Sequence, residues 1–178
     1  MITEDPDADD VAAVLAGDVE RFAAIVDRWQ ARLLNLAYCF VRDPGLAEDL
    51  AQDALLQCYR RLSRWRGEAP FKTWLYSVAL NVYRSQLRGR RLLAEPLRDV
   101  HPAPGSPAAD AIGAQEAERV RAELGRLPPI YREALALFYL EERDLAATAA
   151  ALAVPEGTLK ARLHRGRELL KRRLRHLR

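Results

Sequence analysis

The sequence contains little of what metal centres, disulfide frameworks or catalytic triads require. Its 178 residues include two cysteines and three histidines. Cys39 and Cys58 form no C-x-x-C spacing, and their apolar helical contexts favour reduced, buried thiols in a cytosolic protein. His101, His164 and His176 have no acid–nucleophile neighbourhood, and no nucleotide-binding loop is evident. We therefore expect no catalytic residue, no metal, no cofactor and no enzymatic activity.

The sequence also shows no pattern typical of β-strands, of membrane spans or of a secretory signal. No run rich in Val, Ile and Thr alternates with polar residues, whereas the abundance of Ala, Leu and Arg favours helix. The longest apolar run, residues 33–41, is too short to cross a bilayer, and the acidic N-terminus is unlike a signal peptide. These features predict an all-α cytoplasmic protein without direct membrane insertion.

The charges are unevenly distributed along the chain, although the net charge is only +3. Residues 1–10 carry five acids and no base, whereas residues 156–178 carry nine Lys or Arg and two acids. Such asymmetry indicates an anionic partner for the basic parts.

Apolar residues at helical spacing predict two all-helical domains. Helical segments cover residues 11–41, 44–62 and 71–88, and "RDPG" provides a break with Asp43 as N-cap and Pro44 at the first helical position. Four of the ten prolines fall within 94–113, which predicts a flexible Pro/Ala-rich linker. The predicted divisions are an acidic N-terminal extension with the first helical turns (1–17), a first domain (18–92), the linker (93–113) and a second domain (114–178).

Residues 144–170, "DLAATAAALAVPEGTLKARLHRGRELL", have the pattern of a helix-turn-helix. A short helix is followed by a tight connection at Ala153–Val154, and Pro155 opens a second helix whose leucines share one face. Small and basic residues on the opposite face suit a major groove, although an ordinary amphipathic helix with a solvated basic side is the alternative. That face contains Gly157, Lys160, Ala161, His164, Arg165 and Glu168, and Lys171, Arg172 and Arg173 are candidate phosphate anchors.

Two segments of the first domain have opposite character. The helix after Asp43 presents an acidic face, which suits either a protein partner or plain solvation. Residues 63–91 combine five aromatic rings with seven basic residues, as single-stranded DNA binding requires, although Phe71, Trp74 and Tyr76 could equally be core. The acidic face consists of Glu48, Asp49, Gln52, Asp53 and Leu56. The second segment has a polar stripe of Thr73, Ser77, Asn81, Arg84 and Arg88, preceded by Arg64, Trp65, Arg66 and Lys72 and bordered by Trp74.

The chain resembles bacterial extracytoplasmic-function (ECF) sigma factors of the sigma-70 superfamily. "LPPIYREALALFYLEERDLAATAAALAVPEGTLKARLHRGRELL", residues 127–170, looks like their region 4, and residues 18–91 look like their region 2. Two positions depart from the family pattern: Thr148 replaces a usual Ile, and Ala153 replaces a frequent Gly at the turn. A positive φ at Ala153 would cost on the order of 1 kcal/mol.

The resemblance implies a sigma region 2 helical bundle, a region 4 helix-turn-helix and a role in transcription initiation. The acidic face would bind core RNA polymerase at the β′ clamp helices, and region 4 would contact the β flap. The polar stripe, Trp74 and the loop residues would bind and melt single-stranded −10 DNA. An anti-sigma factor, which could hold the chain at the membrane, is an expected partner, and a small-molecule substrate is not. Duplex −35 contacts would come from Gly157, Thr158, Lys160, Ala161, His164, Arg165, Lys171 and Arg172.

Two other functions remain open on the sequence. A stand-alone helix-turn-helix regulator would bind duplex DNA without polymerase and would not need the mixed aromatic and basic segment. A helical adaptor that never touches DNA would show no salt-dependent DNA affinity, despite the basic C-terminal tail.

Overall fold

The computed structural model describes residues 6–92, 111–140 and 144–175. Every regular element in these ranges is helical, which confirms the all-α prediction. Residues 93–110 of the predicted linker, 93–113, lie outside the described residues. Its last three residues, 111–113, form the start of a helix. Residues 1–5 of the acidic N-terminal extension also lie outside them.

The described ranges contain eight α-helices and two short 3₁₀ turns, at Val19–Arg21 and Leu62–Arg64. The α-helices are α1 (Pro6–Leu15), α2 (Phe22–Val41), α3 (Pro44–Arg61), α4 (Phe71–Leu92), α5 (Ala111–Gly125), α6 (Pro129–Leu140), α7 (Leu145–Leu152) and α8 (Glu156–Arg175).

The predicted helix at 11–41 is interrupted after Leu15 and begins earlier than the periodicity indicated. Gly17 has a φ of 109°, a conformation that L side chains rarely adopt, and it turns the chain between α1 and α2. The N-terminal extension is therefore helical from Pro6 and folds back along α2.

Two acids of the N-terminal run are buried, not solvated. Asp7 and Asp10 are each about 5% exposed, and both pair with Arg28 of α2. The Trp29 indole N–H donates to Asp7 Oδ1 at 2.9 Å, and Arg28 Nη2 donates to Asp10 Oδ2 at 2.9 Å. The hydrogen bond to Asp10, followed by that to Asp7, outweighs desolvation and raises the pKa of Arg28. These bonds attach α1 to the first domain.

The first domain packs α2, α3 and α4 around leucines and edge-to-face rings. Trp29 and Tyr76 lie 5.8 Å apart between ring centroids, and Phe40 and Tyr83 lie 5.5 Å apart. The buried Tyr83 hydroxyl donates to the Leu33 carbonyl at 3.0 Å. Asp43 caps α3 as predicted, because its carboxylate accepts from the Leu46 N–H at 2.9 Å.

The second domain packs α5, α6 and α7 around the buried face of α8. Leu159 and Leu163 point inward as their shared helical face predicted, and they belong to the same apolar core as Leu135 of α6. Gly166 is also buried, and a Cβ at that position would lie 3.0 Å from Leu135 Cδ1. A side chain there would therefore push α8 away from α6.

The two domains are in contact and share one continuous apolar core. α7 packs on α4, and both α5 and α6 pack on α2. The Arg132 guanidinium of α6 lies over the Phe40 ring of α2, 5.0 Å from its centroid. We call this packing of the second domain on α2 and α4 the closed arrangement.

We expect Arg28→Met to lower the free energy of unfolding by about 2 kcal/mol, because the buried Asp7 would lose its arginine and the buried Asp10 would keep only Arg21, at 3.6 Å. The loss is smaller than for a fully buried pair, because 33% of the Arg28 side chain is exposed. Urea titration measures it. Arg60→Met, at an exposed position of α3, is the matched control and should change little. Equal losses in both variants would contradict the assigned role of Arg28.

Candidate nucleic-acid and protein interfaces

The acidic face of α3 is open to solvent where the helical spacing placed it. Glu48, Asp49 and Gln52 are exposed, and Asp53 is partly buried and accepts a hydrogen bond from Gln86 at 3.0 Å. Leu56, one turn after Asp53, is 45% exposed. An exposed leucine bordered by carboxylates suits a protein surface and would repel DNA.

Tyr59 adds to this surface and was missed by the sequence reasoning. It is 38% exposed one turn after Leu56, and its ring packs edge-on against Phe22 at 5.0 Å between centroids. The i, i+3 spacing from Leu56 was the available signal, because residues three apart lie on one side of a helix. The apolar part of the face is thus a Leu–Tyr pair.

The loop before α4 is closed by Trp65. Its indole N–H donates to the Ala69 carbonyl at 3.0 Å, and its ring meets Phe71 edge-on at 5.5 Å. Gly67, with a φ of 74°, provides the bend between these residues. Arg64 and Arg66 are exposed on this loop. Trp65 therefore holds the shape of the loop that presents the two arginines.

The aromatic residues of this segment divide between core and surface. Phe71 and Tyr76 are buried, whereas Trp65 and Trp74 are partly buried. The Trp74 ring lies 5.7 Å from Phe71, tilted by 39°. The three rings of Trp65, Phe71 and Trp74 form one cluster at the start of α4, beside the partly buried Lys72.

The side chains of the polar stripe of α4 are less exposed to solvent than their helical spacing predicted. Asn81 and Arg88 are exposed, and the partly buried Ser77 donates its hydroxyl to the Trp74 carbonyl at 2.7 Å. The outward position predicted for Thr73 is wrong, because its side chain is only 3% exposed at the start of α4. Arg84 is partly buried and pairs with Glu133 of α6, with 2.6 Å between Nη2 and Oε2.

The helix-turn-helix consists of α7, the turn at Ala153 and α8. Asp144 caps α7 by accepting from the Ala147 N–H at 3.0 Å. Ala153 adopts φ 55° and ψ 46°, the left-handed conformation in which the family often has Gly. Thr148, fully buried in place of the usual Ile, satisfies its hydroxyl by donating to the Asp144 carbonyl at 2.6 Å. Both departures from the family pattern are thus accommodated locally.

The basic face of α8 is exposed along its length. Arg165 Nη1 lies 3.1 Å from Glu168 Oε2, so that this arginine is held by an intrahelical pair on the surface. The exposed residues include all eight of those predicted for −35 contacts, namely Gly157, Thr158, Lys160, Ala161, His164, Arg165, Lys171 and Arg172.

The cysteines and acids of the described residues form no metal site. Burial raises the pKa of Cys58 to about 12 and that of Cys39 to about 11, so both thiols stay protonated near neutral pH. Among the described residues, no group of three His, Cys, Asp or Glu side chains is placed to hold a metal ion. No helix in the described ranges is long and apolar enough to span a membrane.

Comparison with known proteins matches both domains. The family models Sigma-70 region 2 and Sigma-70, region 4 match residues 25–92 and 117–170. The RNA polymerase sigma-H factor of Pseudomonas aeruginosa is 33% identical, covering 99% of this chain and 98% of that protein. The ECF RNA polymerase sigma factor SigW of Bacillus subtilis is 31% identical, covering 94% and 96%.

Two solved structures share the fold. CnrH in complex with the cytosolic domain of CnrY has a TM-score of 0.71 at 22% identity, covering 94% of this chain and 96% of that one. RpoE in complex with the anti-sigma factor NepR, from Bartonella quintana, has a TM-score of 0.71 at 24% identity, covering 86% and 96%.

We expect Ala153→Gly to raise the free energy of unfolding by about 0.5–1 kcal/mol, because glycine adopts the left-handed conformation without strain. Ala150→Gly, at an exposed position inside α7, is the matched control and should lower it by about 1 kcal/mol. Thermal and urea unfolding measure both changes. A loss of stability in both variants would contradict the strain at Ala153.

Proposed function

The chain belongs to the ECF sigma factors of the sigma-70 family, and from this premise we propose which surfaces bind polymerase and which bind DNA. A sigma factor of this type binds core RNA polymerase, directs it to −35 and −10 promoter elements and helps to melt the DNA. The stand-alone regulator is not favoured, because the similarity extends over both domains and nearly the whole chain.

The acidic face of α3 is the proposed binding surface for the β′ clamp helices of core polymerase. The observation that carries this assignment is Leu56, which is 45% exposed on the same helix face as Glu48, Asp49 and Gln52. Tyr59 extends the apolar part, and its neighbour Phe22 supports its ring. An apolar centre with a charged rim is the usual composition of a protein interface.

The proposed −10 surface comprises the loop arginines, the ring cluster and the polar stripe. Trp74 is partly open to solvent for base stacking, and Arg64 and Arg66 are exposed on the loop closed by Trp65. Stacking contributes roughly 1–3 kcal/mol per base, and unpairing a base costs a few kcal/mol. A few such contacts acting together would hold a melted strand. Lys72, Ser77, Asn81, Arg84 and Arg88 complete the surface, whereas Thr73 is buried and is not available to DNA.

The proposed −35 reader is α8. Its exposed N-terminal half carries small and basic residues, so that the helix can approach base edges in a major groove. Lys171 and Arg172, two turns further on, are placed for phosphates. The rest of the second domain is the proposed contact for the β flap.

The remaining proposals concern partners, location and chemistry. The complexes of CnrH with CnrY and of RpoE with NepR support an anti-sigma factor as a partner of this chain. We place the chain in the cytoplasm, where an anti-sigma factor can hold it at the membrane. Polymerase supplies the catalysis, and we assign this chain no catalytic residue, cofactor or small-molecule substrate.

We expect the double variant Asp49→Lys with Asp53→Lys to bind core RNA polymerase at least tenfold more weakly, because it places like charges against a basic partner. Affinity for bacterial core polymerase, measured by fluorescence anisotropy with labelled sigma factor, tests this. The matched control reverses two exposed acids elsewhere on the first domain, Glu20→Lys with Asp27→Lys. Equal effects of the two double variants would reject α3 as the docking surface.

We expect Arg165→Ala to weaken binding of a −35 duplex by about tenfold, the loss typical of one arginine–guanine contact. The duplex is selected from a random pool by the polymerase-bound factor. Binding of core polymerase should be unchanged, since α8 is not part of the α3 surface. Arg119→Ala removes the same charge from an exposed position of α5 and should have little effect on duplex binding. If Arg165→Ala weakened polymerase and duplex binding alike, its role in reading DNA would be wrong.

A further inference from the structure

We propose that Glu133 of α6 occupies the site on Arg84 that a DNA phosphate would use, so that the closed arrangement withholds the −10 surface from DNA. This inference rests on the proposed role of α4 in binding −10 DNA. It adds that the factor's own second domain competes with DNA for the same arginine.

The Arg84–Glu133 pair joins the two domains directly. Both Nη2 and Nε of Arg84 donate to Glu133 Oε2, at 2.6 and 3.1 Å. Glu133 is 5% exposed, whereas about a third of the Arg84 side chain remains accessible. Guanidinium groups bind carboxylate and phosphate oxygens with the same N–H donors. Arg84 therefore cannot give both donors to a DNA phosphate while Glu133 holds them.

The pair is one part of a larger contact between the domains. α7, the first helix of the helix-turn-helix, packs on α4 itself. On α2, the Tyr38 hydroxyl donates to Glu118 of α5 at 3.3 Å, and Arg42 lies against Gly125. A Cβ at Gly125 would lie 2.7 Å from Arg42 Cδ, so the Arg42 side chain would have to move for α5 to stay this close to α2.

The same arrangement leaves the polymerase surface uncovered. Glu48, Asp49 and Leu56 of α3 are exposed while Arg84 is engaged by Glu133. The closed factor can thus dock on polymerase first and bind the −10 strand only after the second domain moves off α4. The affinity of the free chain for DNA is reduced by the fraction of molecules that are open.

The test compares Glu133→Gln with the matched control Glu123→Gln. Both residues are about 5% exposed on the second domain, but Glu123 pairs with Arg126 and Arg173 of its own domain. Fluorescence anisotropy of the free full-length chain with a labelled single-stranded −10 oligonucleotide is the readout, at fixed salt. We expect Glu133→Gln to bind about tenfold more tightly and Glu123→Gln to change affinity less than twofold.

Two further variants separate opening of the chain from a simple change of charge. Gly125→Ala alters no charge but crowds the Arg42 side chain at the α5–α2 contact, so it should loosen that contact and also tighten DNA binding. In an Arg84→Ala background, Glu133→Gln should give no gain, because the pair is already absent. Faster hydrogen exchange in α7 of Glu133→Gln than of Glu123→Gln would accompany the opening.

The inference is overturned if Glu133→Gln and Gly125→Ala bind the oligonucleotide no more tightly than the unmodified chain, or if Glu123→Gln gains as much. Binding of core polymerase is measured in parallel on the unmodified chain. Intact polymerase binding with no gain from Glu133→Gln rejects the competition alone, whereas absent polymerase binding rejects the proposed function.

Discussion

The Phe40 side chain is the contact on which the arrangement of both domains depends. Its ring meets Tyr83 of α4 edge-to-face at 5.5 Å and lies beneath the Arg132 guanidinium of α6 at 5.0 Å. It is 3% exposed, so one buried ring is shared by the core of the first domain and by the contact with the second. α2 therefore acts as a common support for α4 of the first domain and for the packing face of the second.

The charges of the described helices separate the two kinds of partner. The acids of α3 lie on the N-terminal side of Leu56, whereas the bases of α4 and α8 lie among polar or small side chains. Under the proposed function, a basic polymerase surface and an anionic nucleic acid would be attracted to different faces of one small chain. Buried acids take no part in this division: Asp7 and Asp10 are neutralised by Arg28, and Glu123 by Arg126 and Arg173.

Local features were predictable from the sequence because their causes are local. The Asp43 cap and the break at Pro44 follow from residue types that favour one backbone conformation. The left-handed turn at Ala153 was expected from the family resemblance, because alanine itself does not favour that conformation. The exposed face of α8 follows from its leucine spacing alone. Long-range features were not predictable in this way. Thr73 shares the stripe's helical angle, but it is buried at the start of α4.

Pairs between residues that are distant in sequence could likewise not be predicted from the sequence pattern. Arg84 and Glu133 lie in different domains, and Asp7 reaches Arg28 only because Gly17 turns the chain. The sequence spacing of an arginine on a polar stripe is the same whether its guanidinium binds DNA or a carboxylate. The sequence therefore indicated which residues suit DNA, and the structure added which of them the second domain covers.

The surfaces described above serve one proposed function, which is to direct RNA polymerase to promoters. Mapping the 5′ ends of transcripts made by core polymerase on DNA from the source bacterium, with and without the purified chain, tests it most directly. We expect new start sites that appear only with the chain and share two upstream elements, near −10 and −35. Start sites that are the same with and without the chain would contradict it.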